Sequence, residues 1–162
     1  MPAGPAVWLR METEPSVAII DSGGGHTVTC SGTCPAAATS GKHGRGFRFT
    51  SNQVDIAPAA DLDSSGGFTA GIWVNLAQLP ASIACFWTKS FDNGNGYDTF
   101  TLCIDPTGAS VYDCELPGGT SVVETGPNVT PGTWHHLALS WDGSNKHNYF
   151  DGVSVGGGSH AI

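Results

Sequence analysis

Asp92, Asn93, Asn95 and Asp98 place hard oxygen donors within a single short stretch, and Gly94 and Gly96 between them let the backbone curl. Calcium favours such oxygen-rich loops, so Asp92 and Asn93 are candidate metal ligands, with Asp21 a weaker one. The loop is not an EF-hand, because Cys103 stands where the bidentate Glu belongs and no helices flank it. A plain polar hairpin turn is the competing reading of the same residues. Glu12 and Glu14 alternate along the chain and would share one face of a strand, the spacing a carboxylate pair needs for glycoside hydrolysis. No second acidic strand accompanies them, and Pro15 ends the run. His135 and His136 are neighbours on a strand, so their side chains point to opposite faces and cannot hold one metal together. His135 shares parity with Leu137 and Leu139 and belongs at the core edge, while Trp134 and His136 face the other way.

Sugar recognition asks for a flat apolar surface bordered by amides and hydroxyls. Trp73 lies on the polar side of an alternating run and is the leading candidate, with Asn75 beside it. Trp87 and Tyr97 come next, then Tyr112 and Tyr149. The cysteines offer a different chemistry. Cys30 and Cys34 flank Ser31 and Gly32 closely enough for a local disulfide, whereas Cys103 is within reach of either Cys85 or Cys114. Zinc would require a second close pair, which is missing.

These residues need a β-rich frame. Charged residues make up 12% of the 162, glycine is abundant, and no long segment carries helical apolar spacing. The net charge of −8 with six scattered Lys and Arg gives no positive footprint for nucleic acid or anionic membranes. No apolar run approaches the roughly 20 residues that cross a bilayer, so membrane insertion is not expected. Cysteines without a Cys-x-x-Cys pair favour an oxidising, secreted or cell-surface location.

Along the chain, Trp8 to Glu14 reads as a first strand, and Cys30 to Gly46 as an Ala, Gly and Ser-rich excursion. Phe47 to Phe49 and Val54 to Ile56 read as short strands around a polar turn. Phe68 to Asn75 alternates cleanly, with Phe68, Ala70, Ile72 and Val74 on the core face. Ile83 to Lys89 and Tyr97 to Ile104 form a hairpin, and Ala109 to Leu116 returns beside it. Leu137, Leu139 and Trp141, an Asp-Gly turn, and Asn148 to Phe150 before a second Asp-Gly form another hairpin. The whole predicts one antiparallel two-sheet β-sandwich over residues 1–162, with 1–6 a disordered start.

The run Gly132-Thr133-Trp134-His135-His136-Leu137-Ala138, continued by Asn148-Tyr149-Phe150-Asp151-Gly152-Val153, resembles the laminin-G-like, concanavalin-A-like jelly rolls, a group that includes the pentraxins. Trp8 to Gly23, Gly41 to Phe49 and Phe68 to Val74 approximate further motifs of that group in the same order, so the resemblance covers about Val7 to Val155. It implies a jelly roll and a non-catalytic extracellular module recognising carbohydrate or glycoprotein. Thr88 to Asn93 resembles a pentraxin segment whose Asp and Asn bind calcium, which implies the same for Asp92 and Asn93. The last strands of the family pattern are absent, so a C-terminally truncated domain prone to self-association is expected. A structural or adhesive spacer is the alternative function, and a glycan-degrading enzyme the less favoured one.

Overall fold

The structure is a computed structural model that describes residues 5–12, 15, 18–38, 40–62, 67–91, 97–116 and 120–159. The chain divides into two units, Met1–Asp63 and Ser64–Ile162. Both are built on antiparallel strands, as the alternating pattern requires.

In the first unit, β1 (Val28–Ser31) pairs with β4 (Gln53–Ile56), and β2 (Ala36–Ala38) pairs with β3 (Gly46–Arg48). The two strands expected around Ser51 to Gln53 therefore exist but do not pair with each other. Their partners come from the small-residue excursion, where the Cys30–Cys34 disulfide sits between β1 and β2. The strand expected over Trp8 to Glu14 does not form among its described residues. Met11 adopts φ 57°, which breaks an extended run, and only an isolated bridge from Leu9 to Asp21 remains.

What orders this stretch instead is a buried carboxylate. Asp21 accepts hydrogen bonds from the backbone N–H of Trp8 (2.7 Å), Gly23 (2.8 Å) and His26 (3.0 Å), and pairs with His26 Nδ1 at 2.7 Å. His26 Nε2 reaches Asp61 at 3.0 Å, in a 3-10 turn spanning Ala60–Leu62. Burial alone would raise the Asp21 pKa, but the four hydrogen bonds outweigh it and hold the group well below the usual carboxylate range. The carboxylates of Asp61 and Asp21 raise that of His26.

The second unit is the sandwich. One sheet has the order β12-β11-β10-β5, from β5 (Phe68–Asn75), β10 (Trp134–Trp141), β11 (Asn145–Phe150) and β12 (Val153–Ser159). The other runs β6-β7-β8-β9, from β6 (Ala84–Phe91), β7 (Tyr97–Ile104), β8 (Ala109–Leu116) and β9 (Thr120–Asn128). Ala70, Val74, Leu137, Leu139 and Phe150 from the first sheet pack on Phe100, Leu102, Ile104 and Tyr112 from the second. Phe68 stacks on Phe100 with ring centroids 4.8 Å apart. Tyr112, fully buried, donates its hydroxyl to the Tyr149 carbonyl across the sandwich.

Turn chemistry sets the registers. Asp151 (φ 50°) and Gly152 (φ 80°) make the two-residue connection from β11 to β12, both left-handed as a type I′ hairpin turn requires. Pro127 is tolerated because β9 is an edge strand. Strands β9 and β12 were not evident from alternation: β9 carries Gly126 and Pro127, and β12 carries three consecutive glycines.

Those glycines admit a polar group to the interior. Gly156 lies opposite Asn148 and Gly158 opposite Lys146, and Glu124 of β9 reaches over them. The Lys146 ammonium is fully buried and donates to Val122 O (2.8 Å), Tyr112 O (3.3 Å) and Glu124 Oε2 (3.0 Å). Glu124 also accepts from Asn148 Nδ2 and Gly157 N. Burial opposes ionisation of Glu124, yet Lys146 beside it holds its carboxyl below the usual range.

Cys85 and Cys103 are direct cross-strand partners and form a disulfide, with Cα atoms 3.9 Å apart. Cys103 faces Val111 while Cys114 faces Phe100, so the Cys103–Cys114 alternative is excluded by register. Cys114 is a buried free thiol, its pKa pushed up to about 11 by burial.

Two outcomes follow from these polar centres. Replacing Lys146 by Met leaves Glu124 and two carbonyls without their donor, and urea unfolding should show a loss of about 3 kcal/mol; a loss within experimental error would show that the ammonium does not tie the sheets. His26 should titrate above its ordinary value of 6.5 in an NMR titration. Since its folded pKa is raised, its stabilisation of the first unit is complete below about pH 6.5 and disappears as pH rises through the folded value. Asp21 and Asp61 have lowered values, so their contribution is present above about pH 4 and disappears on acidification. A His26 ring titrating at or below 6.5 would contradict the arrangement.

Candidate functional site

Strand register assembles the site. On β5, Phe68, Ala70, Ile72 and Val74 turn inward, leaving Thr69, Gly71, Trp73 and Asn75 on the outer face. Through the β10 register, Asn75 meets Trp134, Trp73 meets His136, Gly71 meets Ala138 and Thr69 meets Ser140. β11 adds Tyr149 beside Ala138 and His147 beside Ser140.

The result is an aromatic wall above a low floor. Trp73 is 39% exposed, unusual for a tryptophan in a central part of a strand, and its ring lies 5.0 Å from that of His136 at an interplanar angle of 51°. The floor is Gly71 and Ala138. A methyl at Gly71 would come within 3.2 Å of His136 Nε2 and 3.4 Å of the Ala138 side chain, so glycine here lets the histidine ring pack close to the strand. Tyr149 borders the strip on the next strand.

Asp151 fixes the histidine end. Its Oδ1 accepts the His136 backbone N–H at 2.8 Å, and its own N–H donates to the His136 carbonyl at 2.8 Å. Its Oδ2 pairs with His135 Nδ1 at 2.8 Å, and His135 Nε2 accepts the Thr130 N–H at 3.2 Å. Both His135 nitrogens are thus engaged, and its ring packs 4.9 Å from Phe150 at the core edge, as its parity predicts. Burial favours the neutral form of Asp151, but the hydrogen bonds from His136 and His135 prevail and keep it ionised. Burial lowers the pKa of His136, against the opposing charge of Asp151. A neutral imidazole at pH 7 can both donate and accept a hydrogen bond beside the tryptophan.

The other candidate residues lie elsewhere. Trp87 is opposite Leu102 in the second sheet and packs against the core, so it does not join Trp73. Tyr112 is likewise core. Tyr97 begins β7, and its side chain lies outside the description, as does that of Asp98. Asp92, Asn93, Asn95 and Glu14 fall outside the described residues. Glu12 accepts the Arg45 backbone N–H at 3.2 Å and serves the 41–45 loop. The Asp21 oxygens are occupied by N–H donors. Among the described residues no three His, Cys, Asp or Glu side chains converge as a metal-binding group.

Sequence reasoning missed Asp151 as the anchor of both histidines, and the interior set of Lys146, Glu124 and Asn148. The first had a signal in the Asp-Gly turn that ends β11. The second was signalled only by polar residues at inward positions of a strand.

This architecture has counterparts. No curated protein sequence matches the chain. Among solved structures, the binding domain of Paraclostridial Mosquitocidal Protein 1 superposes with a TM-score of 0.74 at 14% sequence identity, over 96% of this chain and 40% of that one. At that identity the likeness shows the fold alone, and this chain spans well under half of that protein's length. The Laminin_G_3 family model matches residues 48–162, from the end of β3 through the whole sandwich. With an all-β jelly-roll sandwich behind that match, the chain belongs to the Concanavalin A-like lectin/glucanases superfamily.

Proposed function

We propose that this protein is a secreted or cell-surface recognition module that binds carbohydrate, free or on a glycoprotein, through the outer face of the β5–β10–β11 sheet, and that it is not an enzyme. The observation that carries this reading is Trp73, exposed and held against His136 beside the small residues Gly71 and Ala138. A pyranose ring presents C–H groups that stack on an indole, while its hydroxyls seek neighbouring donors and acceptors. Asn75, His136 and Tyr149 supply those. The two disulfides support an oxidising location.

Hydrolysis of a glycoside ordinarily takes two carboxylates across the bond. The outward positions of β5, β10 and β11 carry none, and Glu12 is committed to a backbone N–H. Membership of a superfamily that includes glucanases does not transfer their activity. Calcium assistance through Asp92 and Asn93 is part of the proposal and rests on the resemblance of their segment to a calcium-binding one.

Glycan-array and polysaccharide-retention measurements on the wild-type and Trp73→Ala chains test the site. Binding by the wild type and a loss of tenfold or more in the variant, about 1.4 kcal/mol, is expected. Silence of the wild type across both panels would favour the spacer function instead. For calcium, thermal melts with calcium and with chelator should differ by a rise in the calcium-loaded midpoint, because a ligand bound only by the native state stabilises it. Coincident melts would reduce the 92–96 loop to a turn.

A further inference from the structure

Lys146 and Asn148 occupy inward positions two residues apart on β11, and both side chains are almost wholly shielded from solvent. A lysine here is costly unless its charge is fully paired. One oxygen, Glu124 Oε2, accepts from both Lys146 Nζ and Asn148 Nδ2. Asn148 Oδ1, by contrast, is the one buried side-chain polar atom among the described residues without a hydrogen-bond partner. An amine, a carboxamide and a carboxylate are therefore gathered inside a β-sandwich, with the amide oxygen left open.

We propose that Lys146 and Asn148 are joined by an intramolecular isopeptide bond, formed after folding with Glu124 as the proton carrier. Same-face residues on a strand lie about 6.8 Å apart, a distance the lysine side chain spans. Proton transfer from the ammonium to Glu124 removes two charges from a poorly solvated site and exposes the Nζ lone pair. Nζ bonds to Cγ of Asn148, and the carbonyl electron pair moves onto Oδ1, the atom with no partner in the resting state. Glu124 delivers its proton to Nδ2, the Cγ–Nδ2 bond breaks, and ammonia departs as the carbonyl reforms. The second Nζ proton passes through Glu124 to the ammonia. Lys146 ammonium and Asn148 carboxamide thus become one secondary amide plus ammonium, and Glu124 ends as it began. No oxidant or cofactor enters. Gly156, opposite Asn148, lies beside the carboxylate, and Glu124, with its side chain 29% exposed, gives ammonia a way out.

The test is the intact mass of the reduced, denatured chain followed by peptide mapping. The bond predicts a chain lighter by one ammonia, about 17 Da. It also predicts resistance to trypsin after Lys146 and no fragment ions between Lys146 and Asn148. Succinimide at Asn93-Gly94 or Asn95-Gly96 would lose the same mass, so the chain is first held at mildly alkaline pH, which hydrolyses a succinimide and leaves an amide intact. Lys146→Arg keeps a cation and Glu124→Gln keeps the shape, and each should restore the full mass. A wild-type chain of full mass that trypsin cleaves after Lys146 overturns the proposal. So does a deficit that persists in Lys146→Arg.

Discussion

Before any bond to Asn148 forms, a single buried ammonium organises the folded sandwich. Lys146 rises from the inner face of β11 and ends on two carbonyls of the opposite sheet and on Glu124. Apolar contacts between sheets are tolerant of sliding, but three donors on fixed acceptors are not. That geometry dictates much of the local sequence. On the neighbouring strand a side chain at Gly157 would run into the Lys146 carbonyl, and Gly156 packs beside Asn148 and Glu124. Tyr112 beside it must be rigid, and its hydroxyl is tied to Tyr149 O. The outer face inherits this order, since the β10–β11 register that places Lys146 opposite Trp141 also places Tyr149 beside Ala138.

Carboxylates serve the loops in the same manner. Asp21 collects three backbone N–H groups and His26, Asp151 holds both histidines, and Asp142 accepts from Ser144 and Asn145 at 2.9 and 2.7 Å. Asp105 does likewise for Thr107 and Ala109. A chain with net charge −8 thus spends part of its acidic content on internal scaffolding. Unpaired N–H groups in loops are the need, and short carboxylates meet it.

Much of this was legible in the sequence, and the failures have identifiable causes. Alternation from Phe68 to Asn75 gave β5 with its correct inward set, because one face is buried and the other is not. The Asp-Gly dipeptides located both turns of the β10–β11–β12 meander for the same conformational reason that the turns exist. Trp8 to Glu14 misled because apolar alternation cannot reveal a left-handed Met11 or a carboxylate thirteen residues away. Strands β1 and β2 were hidden in small residues, whose pairing is decided by backbone partners and not by packing. Parity alone put Trp73 on the outer face of β5, whereas Trp87, a second-choice candidate, packs against the core, with a bulge between Cys85 and Trp87 shifting the faces of β6.

The claim on which the functional account stands is that ligand meets the protein at Trp73. Five tryptophans give separate indole N–H resonances in a 15N-labelled sample, and Trp73→Phe identifies one of them. Titration with polysaccharide fragments should move the Trp73 indole first and leave the core residues Trp87 and Trp141 in place. Shifts confined to Trp87, or a Trp73 resonance unmoved while binding saturates, would contradict it.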